Sequence, residues 1–368
     1  MLHPARDYST VHEIAYHATP LSYKQFFDHF LEPNLPVIVG PDLTKHWRAR
    51  QQWVSADTGK PNFKALREQL CQEPVQVPVA DCHTKDFTDQ KRSTMDLKAF
   101  LDEWEANSLA NMPSRTYLKD FHFVRTFPRS YSWSANICGI KKWTLFPPNQ
   151  EHLFRDRLGN TVYDIENVDS AQFPDFHTAK RFTIYQQPGE TLFVPSGWWH
   201  QVQNIGDTIS INHNWCNGSN LDLLLDSICS DLNDVEKEIE HLKEMMEEGE
   251  WIETCQKLLL SNSGWDWSTL WEMCMTIRRR VQGQMDNKDD ELSLPSPSPC
   301  TTSVRDEKEE QEKETPRKTP TFEPPLLSQQ PPLDLTLRRI DSVLDFIRDQ
   351  KSACWFLEQI KGLSLFER

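Results

Sequence analysis

The spacing of apolar side chains changes along this chain, and each change marks a different kind of element. From Ser22 to Leu31, Phe26, Phe27, Phe30 and Leu31 recur at helical spacing and predict a helix. Pro33 and Pro36 stop it, and Val37-Ile38-Val39, a β-branched run ending at Gly40, reads as a buried strand. Val75 to Val79 is a second candidate strand, confined by Pro78 to an edge or a bulge. Between Thr116 and Trp215 short β-prone runs follow one another: residues 134–138, 143–146, 182–185, 191–194, 201–203 and 209–212. Gly139, Pro147-Pro148, Pro188-Gly189, Pro195-Ser196-Gly197 and Gly206-Asp207 punctuate them. Many short strands separated by turn residues predict an all-β barrel or sandwich.

The period then lengthens. Leu221, Leu225, Ile228, Leu232, Val235, Ile239, Leu242 and Met246 follow a four-three spacing, the seam of a heptad helix. Such a seam packs on the protein's own barrel or forms a self-association surface that would give a homodimer through the C-terminal helices. Residues 251–280 continue with one or two more helices. From 284 to 332 the chain turns to Ser, Pro, Thr, Glu and Lys and cannot bury enough apolar surface to fold. Leu333, Leu337, Ile340, Leu344 and Ile347 then resume the helical spacing. The resulting division is an N-terminal α/β part (1–110), a β core (111–218), a helical subdomain (219–283), a disordered acidic, Pro- and Ser-rich segment (284–332) and a C-terminal helix (333–368).

Composition narrows the function classes. A length of 368 residues allows one large core with a buried site. Nine cysteines without any C-x-x-C pair suit a reducing compartment, so a cytoplasmic location is expected, with the nucleus as the alternative. The first residues carry no apolar leader and no window reaches the ~18 apolar residues of a membrane span, which argues against secretion and membrane insertion. A formal charge of −15 would repel a phosphate backbone, so direct nucleic-acid binding is not expected. Thirteen tryptophans, concentrated in the middle of the chain, are mostly core candidates.

The sharpest local feature is Pro188-Gly-Glu-Thr-Leu-Phe-Val-Pro-Ser-Gly-Trp-Trp-His-Gln-Val202, in which a strand, a Pro-Gly turn and a second strand deliver His200 to a barrel mouth. By itself, a histidine after two tryptophans is more often a rim residue than a ligand. This segment, however, resembles the JmjC branch of the cupin superfamily, the iron(II)/2-oxoglutarate oxygenases. The resemblance extends to Asn136-Ile-Cys-Gly-Ile-Lys-Lys-Trp-Thr-Leu-Phe-Pro-Pro148 and Arg129-Ser-Tyr-Ser-Trp-Ser-Ala-Asn-Ile-Cys-Gly139, and covers roughly residues 10–280. It implies a double-stranded β-helix (jelly roll) core with α/β and helical additions. It further implies His200 as a metal ligand and Lys141 as partner of the far carboxylate of 2-oxoglutarate, with Ser134, Asn212 and Asn214 as neighbours of that cofactor. Leu31-Glu-Pro-Asn-Leu-Pro-Val37 and Tyr117-Leu-Lys-Asp-Phe-His122 are similar to a lysyl-hydroxylase branch, which implies a translation release factor as protein substrate.

The departure from the pattern carries as much weight as the match. The family holds iron with a further His-x-Asp pair some five residues before the Arg-Ser-Tyr-Ser-Trp block, and here Val124 and Thr126 stand at those places. None of the twelve histidines is followed two places on by Asp or Glu. Asp120 and His122 offer the right types in reversed order. One imidazole without a carboxylate gives iron no fixed geometry, so iron and 2-oxoglutarate binding and turnover are all in doubt, and a barrel short of strands is expected. Three readings follow: an impaired member of the enzyme lineage, a non-catalytic binding or regulatory isoform, or an unstable splice or gene-model product.

Overall fold

The computed structural model describes residues 6–86, 89–118, 131–293, 332–353 and 356–357. Its centre is a six-stranded sheet in the order β1 (Ala15–His17), β2 (Val37–Val39), β8 (Thr191–Val194), β6 (Tyr131–Phe146) and β7 (Phe182–Gln186), with β9 (Trp199–Trp215) also pairing β6. β1 and β2 run parallel and every other ladder of this sheet is antiparallel. Alternation sorts the side chains. Val37, Val39 and Phe193 pack against Phe26 and Phe30, whereas Ile38, Leu192 and Val194 turn to the opposite face with Trp143, Leu145 and Trp198.

Those two phenylalanines come from the predicted N-terminal helix. Ser22 caps α1 (Tyr23–Phe26) in a reciprocal capping box with Gln25, and the helix widens into a π turn over Phe27–Leu31 before Pro33 ends it. α2 (Arg48–Gln52) and α3 (Phe63–Leu70) follow. A separate three-stranded sheet, β4 (Asp89–Asp96), β3 (Gln76–Asp86) and β5 (Thr116–Leu118), packs with α3 and α4 (Leu97–Leu109) through Phe63, Leu66, Val79, Leu97, Phe100 and Leu101. β3 is the middle strand of this sheet, not the edge expected from Pro78. Pro78 stands opposite Thr94 of β4, and the described pairs with β5 run from Val79–Leu118 to Asp81–Thr116.

The helical layer comprises α5 (Leu221–Glu238), α6 (Glu248–Ser263), α7 (Trp267–Ser293) and α8 (Leu333–Arg348). Leu221, Leu225, Ile228, Leu232 and Val235 of the seam are buried in one cluster with Trp251, Leu259, Trp267, Leu270, Ile340 and Leu344. The stripe is thus covered by helices of its own chain, leaving little of it to offer a second copy. α5 stops at Glu238 and a 3-10 segment spans Glu240–Met245, so the heptad spacing overruns the helix. α7 runs on to Ser293, past the boundary expected at 284; residues 294–331 lie outside the described residues.

Three contacts tie this layer to the sheet. Arg339 of α8 is buried, pairs with Glu32 after the first helix and donates to the Gly218 carbonyl at 3.0 Å. Gly218 sits so close to α8 that a Cβ there would meet Thr336 Oγ1 at 2.5 Å, which requires glycine. Asn220 Nδ2 donates to Ser196 Oγ at 3.0 Å in the turn before β9.

Candidate functional site

β6 and β9 form one long antiparallel ladder from Tyr131–Trp215 at one end to Phe146–Trp199 at the other. Their inner faces line a cavity of about 2290 Å³. That is well above the ~300–1,000 Å³ of a closed small-molecule pocket, and the topology gives the reason. Among the described residues β9 pairs with β6 alone, and the cavity opens along its free side. Isoleucine, tryptophan and asparagine side chains on β9 remain exposed, Ile205 by 46% and Trp199 by 41%.

Within the cavity the sequence-predicted residues fall into two groups. Lys141 is 5% exposed, and its ammonium donates to Ser210 Oγ at 2.9 Å and Ser134 Oγ at 3.3 Å while lying 5.0 Å over the Trp143 ring. Two hydroxyls and an aromatic face position the cation on the inner side of β6, a placement that suits a carboxylate guest. Ser134 stands across the ladder from Asn212, and Ser132 from Asn214; both asparagines border the cavity. Ser210 was missed by sequence reasoning, although it lies two residues before Asn212 on the same strand and a period-two reading reaches it. Trp143 and its anchor Gln186, whose Oε1 accepts the indole N–H at 2.9 Å, gave no sequence signal beyond core composition.

His200 lies opposite Leu145 at the other end of the ladder, its ring 5.5 Å from that of Trp143. Its Nδ1 is 2.9 Å from the Trp198 carbonyl, which can only accept, so Nδ1 carries the proton and Nε2 presents its lone pair to the cavity. His200 is exposed to the cavity and its ring packs on that of Trp143. Desolvation lowers its pKa from the ordinary value, and the Lys141 charge adds to this while the Trp198 carbonyl opposes it. That is the tautomer and protonation state of a metal ligand. The remaining donors are not there: among the described residues no group of three His, Cys, Asp or Glu side chains stands close enough to hold a metal ion. Val124, Thr126, Asp120 and His122 lie outside the described residues. The described donor set therefore does not fit iron. Cys138 offers no nucleophile in its place, because burial pushes its thiol up to about 11.

A sheet-rich core of this topology with a histidine and a lysine on facing strands defines a cupin-like domain, and residues 130–220 match the family model described as Cupin-like domain. The "Arginine-specific demethylase JMJ20" of Arabidopsis thaliana is 37% identical over 308 residues, covering 66% of this chain and 65% of that protein. The chain thus spans just under two thirds of the plant relative's length. The "2-oxoglutarate and iron-dependent oxygenase JMJD4" of Danio rerio is 35% identical over 320 residues, covering 72% of this chain and 75% of that protein. Its Homo sapiens counterpart is 33% identical over 316 residues, covering 70% and 74%. The chain belongs to the JmjC family of 2-oxoglutarate and iron-dependent oxygenases.

Proposed function

We propose that this chain is a catalytically impaired member of a protein-hydroxylase lineage, one that keeps the carboxylate-binding half of the site and has lost the metal-binding half. The observation that carries the reading is the asymmetry of the cavity: Lys141 is held by Ser134 and Ser210, while His200 presents Nε2 with no second or third ligand among the described residues. The lengths of the matches support it. The 308-residue match to the plant relative takes in 66% of a 368-residue chain, fewer residues than the match is long. Some residues of the relative within the matched region therefore have no counterpart in this chain, in keeping with a shortened barrel.

The protein substrate of the lineage is a lysine of a translation release factor, in the cytoplasm or nucleus; described cysteines that are all free thiols agree with a reducing compartment. The plant relative's name points to arginine demethylation instead. Both chemistries act on a cationic side chain, so the same cavity serves either. The open cavity also favours a second reading, a non-catalytic module that binds such a segment without modifying it. The test is succinate release from 2-oxoglutarate with iron(II), using a release-factor peptide in one arm and a methylarginine peptide in the other. No turnover is expected in either arm. Turnover abolished by His200→Ala would overturn the proposal and make Asp120 and His122 the leading ligand candidates.

A further inference from the structure

Ser134 and Lys141 are seven residues apart, an odd number, and in an unbroken strand their side chains would point to opposite faces. In the structure Lys141 Nζ reaches Ser134 Oγ at 3.3 Å. The phase of β6 changes between them, at register shifts on either side of Cys138, where Gly139 takes φ +76°. This bulge is what brings the lysine inside. On the β8 side, Asn136 donates its backbone N–H to the Glu190 carbonyl at 2.9 Å and accepts from Gly189 N at 2.6 Å, while its Nδ2 donates to the Gly139 carbonyl at 2.8 Å. From outside the barrel, Arg50 of α2 completes the clamp. Its Nη1 donates to the Ile137 carbonyl at 3.2 Å, and its guanidinium fills the space above Gly189, where a Cβ would meet it at 2.5 Å. Gly189 has φ +91°, so the turn under the guanidinium also needs glycine.

We infer that Arg50 is a positioning residue for the cavity: by tying α2 to the bulge and to the Gly189 turn it fixes Lys141 on the inner face of β6. The guanidinium lies on the outer side of the sheet and touches no guest. For ligand binding, the inference rests on the reading above that Lys141 receives a carboxylate; for the facing of Lys141 it stands independently. Lys142 supplies an internal reference, since it points outward to Glu166 at 2.8 Å.

The experiment uses the full chain and three variants: Arg50→Met, which keeps the stem and removes the donors, Arg50→Lys, and Leu66→Ala, which loosens the buried α3 cluster but removes no hydrogen bond to the bulge. Acetic anhydride labelling, read by mass spectrometry, reports the ratio of modification at Lys141 to that at Lys142, and calorimetry without metal reports binding of 2-oxoglutarate. In the parent chain Lys141 should label far less than Lys142. Arg50→Met should raise the ratio severalfold and weaken 2-oxoglutarate binding about tenfold, the size of one hydrogen bond to a charged group. Arg50→Lys should recover part of both, and Leu66→Ala neither. An unchanged ratio in Arg50→Met, or an equal rise in Leu66→Ala, would overturn the positioning role. A ratio that moves while no chain binds 2-oxoglutarate would uphold that role and overturn the carboxylate reading of Lys141.

Discussion

The helical layer and the β core bury their apolar residues to very different degrees. α5 to α8 close around one continuous cluster in which Leu221, Leu259, Leu270, Ile340 and Ile347 are fully inaccessible. The β core divides its apolar residues among smaller clusters on the two faces of the sheet and leaves the inner face of β9 open to a large cavity. Each buried Leu or Ile contributes roughly 1.5–3 kcal/mol, and in the helical layer these contributions act within one continuous cluster. The difference shows how a sheet lined by a large open cavity can be held from outside by an appended layer that folds on a dry core of its own.

The same substitution at two isoleucines breaks or sharpens that comparison. Ile228→Asp, at a side chain 1% exposed in the helical cluster, should cost about 3 kcal/mol or more by leaving a buried charge unpaired. Denaturant unfolding followed by circular dichroism measures it, and an unchanged midpoint would mean that α5 is not a core helix. Arg339→Met should cost less, roughly 1–3 kcal/mol: it strands the Gly218 carbonyl, but Glu32 keeps a third of its side chain in water and rehydrates. Its mark should be independent melting of the sheet and the helical layer, seen as two calorimetric transitions. Ile205→Asp on β9, 46% exposed, should change stability by no more than about 0.5 kcal/mol. A large loss there would mean that the cavity wall is packed after all.

The smallest expected effect is that of His200 on the pH dependence of stability. Its pKa in the folded chain lies below the ordinary 6.5, so as pH falls through 6.5 the unfolded chain takes up the proton first. Stability is therefore lost progressively from about 6.5 down to the folded-state value, and above 6.5 the ring contributes no pH dependence. His200→Gln should flatten that part of a melting-temperature profile measured between pH 7.5 and 5, values chosen to span the ordinary histidine pKa of about 6.5. A steeper slope in the variant would show that the ring is charged in the folded state.

Much of this was legible in the sequence because it was written in periodicity. The four-three spacing from Leu221 gave the buried face of α5, and the β-branched run Val37-Ile38-Val39 and the run 191–194 gave two strands of the sheet. His200 and Lys141 were named by the resemblance, of which the relatives bear out the family. What could not be read depends on partners distant in the chain. Arg50 meets the bulge 87 residues on, and Gln186 meets Trp143 43 residues back. The middle position of β3, too, was hidden, because a proline removes one ladder donor and says nothing of how many neighbours the rest of the strand has.

The pair between Glu32 and Arg339 has a consequence for how the chain is made. Its two halves are separated by 307 residues, and a ribosome adding about 5–20 residues per second needs roughly 15–60 s to pass from one to the other. During that interval the N-terminal elements are synthesised without the pin that later holds them against the helical layer. A nascent chain halted before Leu333 would thus carry every described strand but lack its last clasp, leaving the helical cluster uncovered and open to chaperones.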